Sequence, residues 1–287
     1  MPKNQKYPKL RQHTKMKKAI VKIISTLFPN QVVSFAYQKL TNPQLKKLRQ
    51  NELLVLEKSE KETFKFQDFD IQLYTWQGGS KKILLVHGWE GQAGNFADII
   101  EKLLEKNYTV HAFDAPSHGF SSKGRTSLFE FTELVGVLIR KYDVKKLLSH
   151  SFGGVAATYA LFKNQDLKID KYALLTVPDR FLDRINYVAT QIGITQKVTE
   201  RLIKRLENET KLQVDKLNVS DFVKTINVKK SLIIHDINDT LIPIAQSKNV
   251  HKNWENCTFS EVSGTGHFRI LRTETVINNI VAFFENP

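Results

Sequence analysis

A short apolar run, Leu147-Leu148, closes in Ser149-His150-Ser151-Phe152-Gly153-Gly154, and a helix-like run from Val155 to Lys163 follows without a linker. A strand that passes straight into a helix has very few residues in which to reverse. Small residues on either side of the apex, here Ser149 and Gly153, make that reversal possible, because larger side chains would clash in a strained turn. The apex residue, Ser151, is then pushed out with its hydroxyl exposed. The pattern is G-x-S-x-G with its first glycine replaced by Ser149. A plain glycine-rich turn after a buried strand fits the same residues, so the rest of the chain has to decide between the two.

Around this turn, short apolar runs alternate with helical spacing. Thr63 to Phe66 and Ile71 to Trp76 read as a hairpin-like pair with Asp68 to Asp70 between them. Ile83 to Val86 and Thr109 to Asp114 read as buried strands, and Lys145 to His150, Tyr172 to Val177, Ser231 to His235 and Cys257 to Val262 as further strands. Helices are expected over 95–105, 127–142, 152–163, 244–251 and 270–285. This alternation predicts an α/β fold, a mostly parallel sheet covered by helices on both faces. From Asp179 to about Asn227 the strand runs stop, which predicts a small helical cap inserted at about 179–228. The remaining organisation is a basic N-terminal arm, 1–51, followed by one α/β domain, 52–287.

The arm stands apart by charge. No Asp or Glu precedes Glu52, whereas 12 Lys and Arg do; the remainder holds 31 basic against 29 acidic residues, so the net charge of +14 belongs almost wholly to the arm. An argument for nucleic-acid binding from whole-chain charge is therefore misplaced. The arm also has few aromatics for base stacking, and nucleic acid is not an expected partner. Met16, Ala19, Ile20, Ile23, Ile24, Leu27 and Phe28 fall at helical spacing, with Lys15, Lys18, Lys22 and Ser25 mostly opposite. Pro29 and Asn30 are expected to end that helix. It is too short to cross a bilayer, and Lys22 breaks it as a signal peptide. Either it lies on an anionic membrane surface or it packs its apolar stripe on the domain. The expected location is cytoplasmic or peripheral to a membrane. The one cysteine, Cys257, excludes an internal disulfide framework.

Ligands of such sheets sit outside the carboxyl ends of the strands. Ser151 follows one strand, Asp236 and Asp239 follow a later one, and His267 follows the last. Serine, acid and histidine in that order suit acyl transfer: a base takes the hydroxyl proton, and an acid orients the base. No metal motif, phosphate-binding loop or dinucleotide fingerprint is present, so no metal and no cofactor is expected.

Over roughly residues 60 to 287 the chain resembles the α/β-hydrolase superfamily. It is most similar to compact capped bacterial serine hydrolases, which are esterase-like. The segments that carry the likeness are His87-Gly88-Trp89, Asp114-Ala115-Pro116-Ser117-His118-Gly119, His150-Ser151-Phe152-Gly153-Gly154, Asp236 to Pro243 in a D-x-x-D-x-x-x-P pattern, and Gly264-Thr265-Gly266-His267. The resemblance implies Ser151 as nucleophile, His267 as base and Asp239, four residues before Pro243, as acid, with the backbone N–H groups of Trp89 and Phe152 as oxyanion hole. It implies hydrolysis of a carboxylic ester, or a thioester or amide, through an acyl-enzyme on a small-molecule acyl substrate. Ser149 departs from the family's glycine and predicts a slightly different turn. Structural roles are expected for His87, Asp114, His118 and His150, and none is assigned to His111 or His251. Phe181, Leu182, Ile185, Tyr187, Val188 and Ile192 of the cap either line an acyl pocket or pack its core. Two other functions fit the same fold: a catalytically silent binding protein and a membrane-peripheral lipid-binding protein.

Overall fold

A computed structural model of the chain describes residues 12–44, 47–210 and 212–286. Among these, strands β1 (Glu60–Phe66), β2 (Phe69–Trp76), β3 (Lys81–Val86), β4 (Tyr108–Phe113), β5 (Lys146–His150), β6 (Ile169–Leu175), β7 (Val228–Asp236) and β8 (Cys257–Val262) form one sheet in the order β1-β2-β4-β3-β5-β6-β7-β8. The helices are α1 (Gln12–Leu27), α2 (Pro29–Thr41), α3 (Gln50–Glu57), α4 (Ala97–Glu105), α5 (Leu128–Tyr142), α6 (Phe152–Lys163), α7 (Phe181–Ile192), α8 (Gln196–Thr210), α9 (Val219–Phe222), α10 (Ile244–Lys252), α11 (Gly266–Arg269) and α12 (Glu274–Glu285). The chain forms two compact units, Met1–Thr41 with Arg180–Asn218, and Asn42–Asp179 with Val219–Pro287.

The larger unit holds the sheet. β1 and β2 form an antiparallel hairpin in which Phe66 faces Phe69, and β2 runs antiparallel to β4. From β4 through β3, β5, β6 and β7 to β8 every pairing is parallel. The mostly parallel α/β fold read from the alternating runs is the fold found. Both faces of the central strands are covered, which is why they are almost wholly apolar rather than alternating. Ile83 and Leu85 of β3, Leu148 of β5, Ala173 and Leu175 of β6 and Ile234 of β7 share one core with Phe96, just before α4, and with α4 and α12 (Ile99, Ile100, Leu103, Ile277, Ile280, Phe284). Because these strands are parallel, their carboxyl ends lie along one edge of the sheet. α5 starts at Ser127, whose hydroxyl accepts from the Phe129 N–H while Glu130 reaches back to the Ser127 N–H, a closed capping box.

The smaller unit departs from the boundaries read at 51 and at about 179–228. The N-terminal helices and the inserted segment form one body, built on α2 and α8. Val32 and Val33 of α2 pack on Val198, and Ala36 and Tyr37 pack on Leu202. The Arg205 guanidinium stacks over Tyr37 at 3.9 Å and also meets Glu209, to which the Tyr37 hydroxyl donates. Val219–Phe222, read as part of the cap, belongs to the larger unit.

Two further expectations concern α1 and its end. α1 ends at Leu27, as Pro29 leads one to expect, and Pro29 then opens α2 with a 120° bend between them. A proline needs no N–H partner at a first helical position, so it both stops one helix and starts the next. The apolar stripe of α1 is not buried. Lys18, Val21 and Ser25 form the more buried side of α1, and the Lys18 carbonyl lies so close to Gly193 that a Cβ there would be 2.4 Å away. Met16, Ile20, Ile23, Ile24 and Leu27 are left exposed.

Candidate active site

The turn between β5 and α6 is as tight as its residues require. Ser151 has φ +53° and ψ −123°, a backbone conformation that L-residues rarely adopt. Its N–H is committed to the Leu175 carbonyl at 2.8 Å. A Cβ on Gly153 would stand 2.3 Å from the His87 carbonyl oxygen and 2.4 Å from that of Val86, so only glycine lets α6 start this close to β3. Ser149, in place of the motif's first glycine, is fully buried. Its hydroxyl bonds to the Tyr172 hydroxyl at 2.9 Å and sits 3.3 Å from where a Cβ on Gly154 would be. The second glycine of the Gly153-Gly154 pair thus leaves the room that the serine fills.

The structure brings Ser151, His267 and Asp239 together from three strand ends. Ser151 Oγ lies 3.0 Å from His267 Nε2, and His267 Nδ1 lies 2.7 Å from Asp239 Oδ2. The other Asp239 oxygen accepts the N–H groups of Leu241 at 2.7 Å and Ile242 at 2.9 Å. Burial pushes the Asp239 carboxyl up, but the bonds from His267 and these backbone amides outweigh it and hold the group below the usual carboxylate range. A buried, ionised carboxylate on Nδ1 fixes the tautomer that leaves Nε2 free to accept the serine proton.

The competing carboxylate, Asp236, does not meet His267. It is fully buried, and one oxygen accepts the Thr265 N–H, the Thr265 hydroxyl at 2.8 Å and the Gly266 N–H at 2.8 Å, while the other takes the Asn238 N–H at 2.7 Å. Asp236 therefore anchors the loop that carries the histidine. Two further histidines support the arrangement, and the sequence pattern assigned neither this task. His150 Nε2 donates to the His267 carbonyl at 2.8 Å. His235 lies behind Asp239, bonded to the Ser247 hydroxyl at 2.6 Å and the Ile242 carbonyl at 2.9 Å.

The loop after β3 comes up against the serine. A Cβ on Gly88 would lie 3.2 Å from Ser151 Cβ and 3.1 Å from the His150 carbonyl, so glycine permits the approach. Trp89 follows, and its ring packs edge-on to Phe152 at 5.3 Å. Neither the Trp89 nor the Phe152 amide has a hydrogen-bond partner among the described residues. The Phe152 amide also opens α6, where the helix dipole favours negative charge.

His87, Asp114 and His118 hold that loop in place. His87 donates from Nδ1 to the Gly88 carbonyl at 2.8 Å and accepts the Ala115 N–H at 3.0 Å. Asp114 takes the Ala93 and Phe120 N–H groups at 2.8 Å and the Tyr74 hydroxyl at 3.0 Å. His118 donates to the Pro116 carbonyl at 2.9 Å and accepts the Glu90 N–H at 3.2 Å. Both nitrogens of each ring are used, and burial drives His87 down to about 4 and His118 down to about 3. Both are neutral, loop-ordering groups. The Glu90 carboxylate accepts the Gln44 N–H at 3.1 Å. Glu90, Ser117, Ser151 and Thr176, all at positive φ, mark the ends of β3, β4, β5 and β6, so backbone strain gathers along this edge. No group of metal-ligating side chains occurs among the described residues.

The chain has the α/β-hydrolase fold. The family's sequence model, described as alpha/beta hydrolase fold, matches residues 81–192. A pimeloyl-[acyl-carrier protein] methyl ester esterase of Aliivibrio salmonicida is 26% identical over 168 residues, 55% of this chain; the match spans 58% of that protein's length. Among solved structures, an esterase of Pyrococcus furiosus superposes with a TM-score of 0.63 at 19% identity, over 86% of this chain and 98% of that one. An esterase of Exiguobacterium antarcticum gives 0.60 at 16%, over 76% and 97%. At these identities the likeness is one of fold.

Proposed function

We propose that the chain is a carboxylesterase-like serine hydrolase acting through an acyl-enzyme on Ser151. The observation that carries this reading is the continuous relay from Asp239 Oδ2 through His267 to Ser151 Oγ, at 2.7 and 3.0 Å, beside two amides without a partner among the described residues. Ser151 Oγ attacks the carbonyl carbon while its proton passes to His267 Nε2. The oxyanion that forms accepts the Trp89 and Phe152 N–H groups, each such donor lowering the barrier by about 3–4 kcal/mol. His267, its imidazolium stabilised by Asp239, protonates the leaving alkoxide. Water then repeats the sequence in reverse and frees the acid. Esters are the favoured substrates, in keeping with the esterase names of the relatives; thioesters and amides would pass through the same intermediate.

A fluorophosphonate probe tests the reading. Wild type is expected to be labelled and Ser151→Ala not, with turnover of p-nitrophenyl esters of increasing chain length lost in parallel. Folded wild type that resists labelling would overturn the proposal in favour of a silent binding protein.

A further inference from the structure

The charge of the chain is divided very unevenly between its two units. Met1–Thr41 and Arg180–Asn218 together hold 17 Lys and Arg against five Asp and Glu, nearly all of the net +14, which leaves the larger unit close to neutral. The same unit exposes apolar surface in an ordered way. Met16, Ile20, Ile23, Ile24 and Leu27 fall on one side of α1 at about 100° per residue. Phe28 extends the stripe to the bend, and Phe35 lies on α2 beyond it. All seven are between 43% and 66% exposed. Lys17 and Lys22 are exposed along α1 on either side of the stripe, and the Lys39 ammonium lies 5.7 Å from the centre of the Phe35 ring.

An isolated exposed leucine needs no explanation, but a run of six large apolar side chains from Met16 to Phe28, bordered by lysines, does. Water-facing helices place such residues inward; α1 places Lys18, Val21 and Ser25 there instead. We propose that this face docks on an anionic lipid bilayer, with Ile20, Ile23, Leu27 and Phe28 entering the boundary between headgroups and acyl chains and Lys17 and Lys22 meeting lipid phosphates. The charge argues for this occupant over a second copy of the chain, which would bring two strongly basic units together. It also argues for lipid over nucleic acid, because the outward face is mainly aliphatic and offers few rings for bases to stack on. The inference is independent of the hydrolase reading.

Co-sedimentation of the full chain with vesicles tests it. Wild type is expected to pellet with vesicles of equal parts phosphatidylcholine and phosphatidylglycerol, to remain in solution with phosphatidylcholine alone, and to be released as salt rises. Ile20→Glu with Ile23→Glu should reduce the partition at least tenfold, and each of Lys17→Gln and Lys22→Gln by about fivefold at low salt. All four positions are exposed, and an unchanged far-UV spectrum and melting temperature secures the comparison; Ile23→Ser provides a milder second variant with the same direction of effect. The proposal falls if wild type stays in solution with the anionic vesicles, or if the glutamate variant pellets as wild type does. It falls equally if the substitutions instead abolish a lipid-free dimer.

Discussion

His150 donates a hydrogen bond from Nε2 to the main-chain carbonyl of His267 at 2.8 Å, so the residue before Ser151 grips the backbone of the histidine bonded to that serine. Their rings lie 4.9 Å apart. Burial, reinforced by neighbouring His267, pushes His150 down to about 3, so it makes this bond as a neutral donor. His150→Phe keeps a ring and removes the donor. The expected outcome is a fall in kcat of about tenfold, the worth of one hydrogen bond, with KM for a small soluble ester little changed. Steady-state kinetics checks it; an unchanged kcat would reduce His150 to packing.

The two carboxylates after β7 carry different tasks, and their amides should separate them. Asp239→Asn leaves a donor facing His267 and favours the wrong tautomer; kcat should fall on the order of 10⁴-fold. Asp236→Asn meets three donors with one of its oxygens replaced by N–H₂, and should cost about 2–4 kcal/mol of stability. Urea unfolding and ester turnover on the same two proteins distinguish these outcomes. Similar stability losses in both variants would contradict the division of labour.

At the turn itself, Gly153 and Ser149 should respond in opposite degree. Gly153→Ala drives a methyl into two carbonyl oxygens at 2.3 and 2.4 Å, and the expected result is a loss of more than about 3 kcal/mol or failure to fold. Ser149→Ala gives up one hydroxyl contact with Tyr172 and should cost only about 1 kcal/mol. Thermal unfolding of the pair reads the difference directly.

Acid should unfold the larger unit well before its carboxylates are protonated. Burial holds His87 and His111 near 4 and His118 and His150 near 3, all below their ordinary 6.5. The unfolded chain takes up these protons as pH falls through 6.5, and the folded chain does not. The stability they represent is present above about pH 6.5 and is lost as pH falls toward 4. Each group steepens that loss by about 1.4 kcal/mol per pH unit. Denaturant titrations at pH 7, 6 and 5 measure it; a flat profile over that range would show that these rings protonate in the folded state.

The parts legible in the sequence were those fixed by short-range chemistry. Fully apolar runs such as Ile83–Val86 have one good use, a strand buried on both faces, and Ser149–Gly154 allows one kind of turn. The meeting of Ser151, Asp239 and His267 could be read because parallel strands bring their carboxyl ends to one edge. The resemblance separated Asp239 from Asp236 by its place before Pro243, but nothing in it showed the anchoring of the Thr265 loop, which depends on which way a loop folds back. His150 looked like packing because its partner is a carbonyl 117 residues away. The smaller unit was the least legible. Amphipathic spacing identifies a helix and its apolar side, but not whether that side meets protein, and Pro29 reads equally as an end or a beginning.

The pairing of α2 with α8 also sets an order of events during synthesis. Val32 finds its neighbour Val198 only after about 166 further residues have been made. At 5–20 residues per second, that is a wait of roughly ten to thirty seconds, during which α1 and α2 lack the partner that completes their body. Through that interval their valines, and the exposed isoleucines beside them, are open to whatever waits at the ribosome's exit. Until Val198 is made, α1 and α2 therefore carry two apolar surfaces, and finishing the fold hides only one of them.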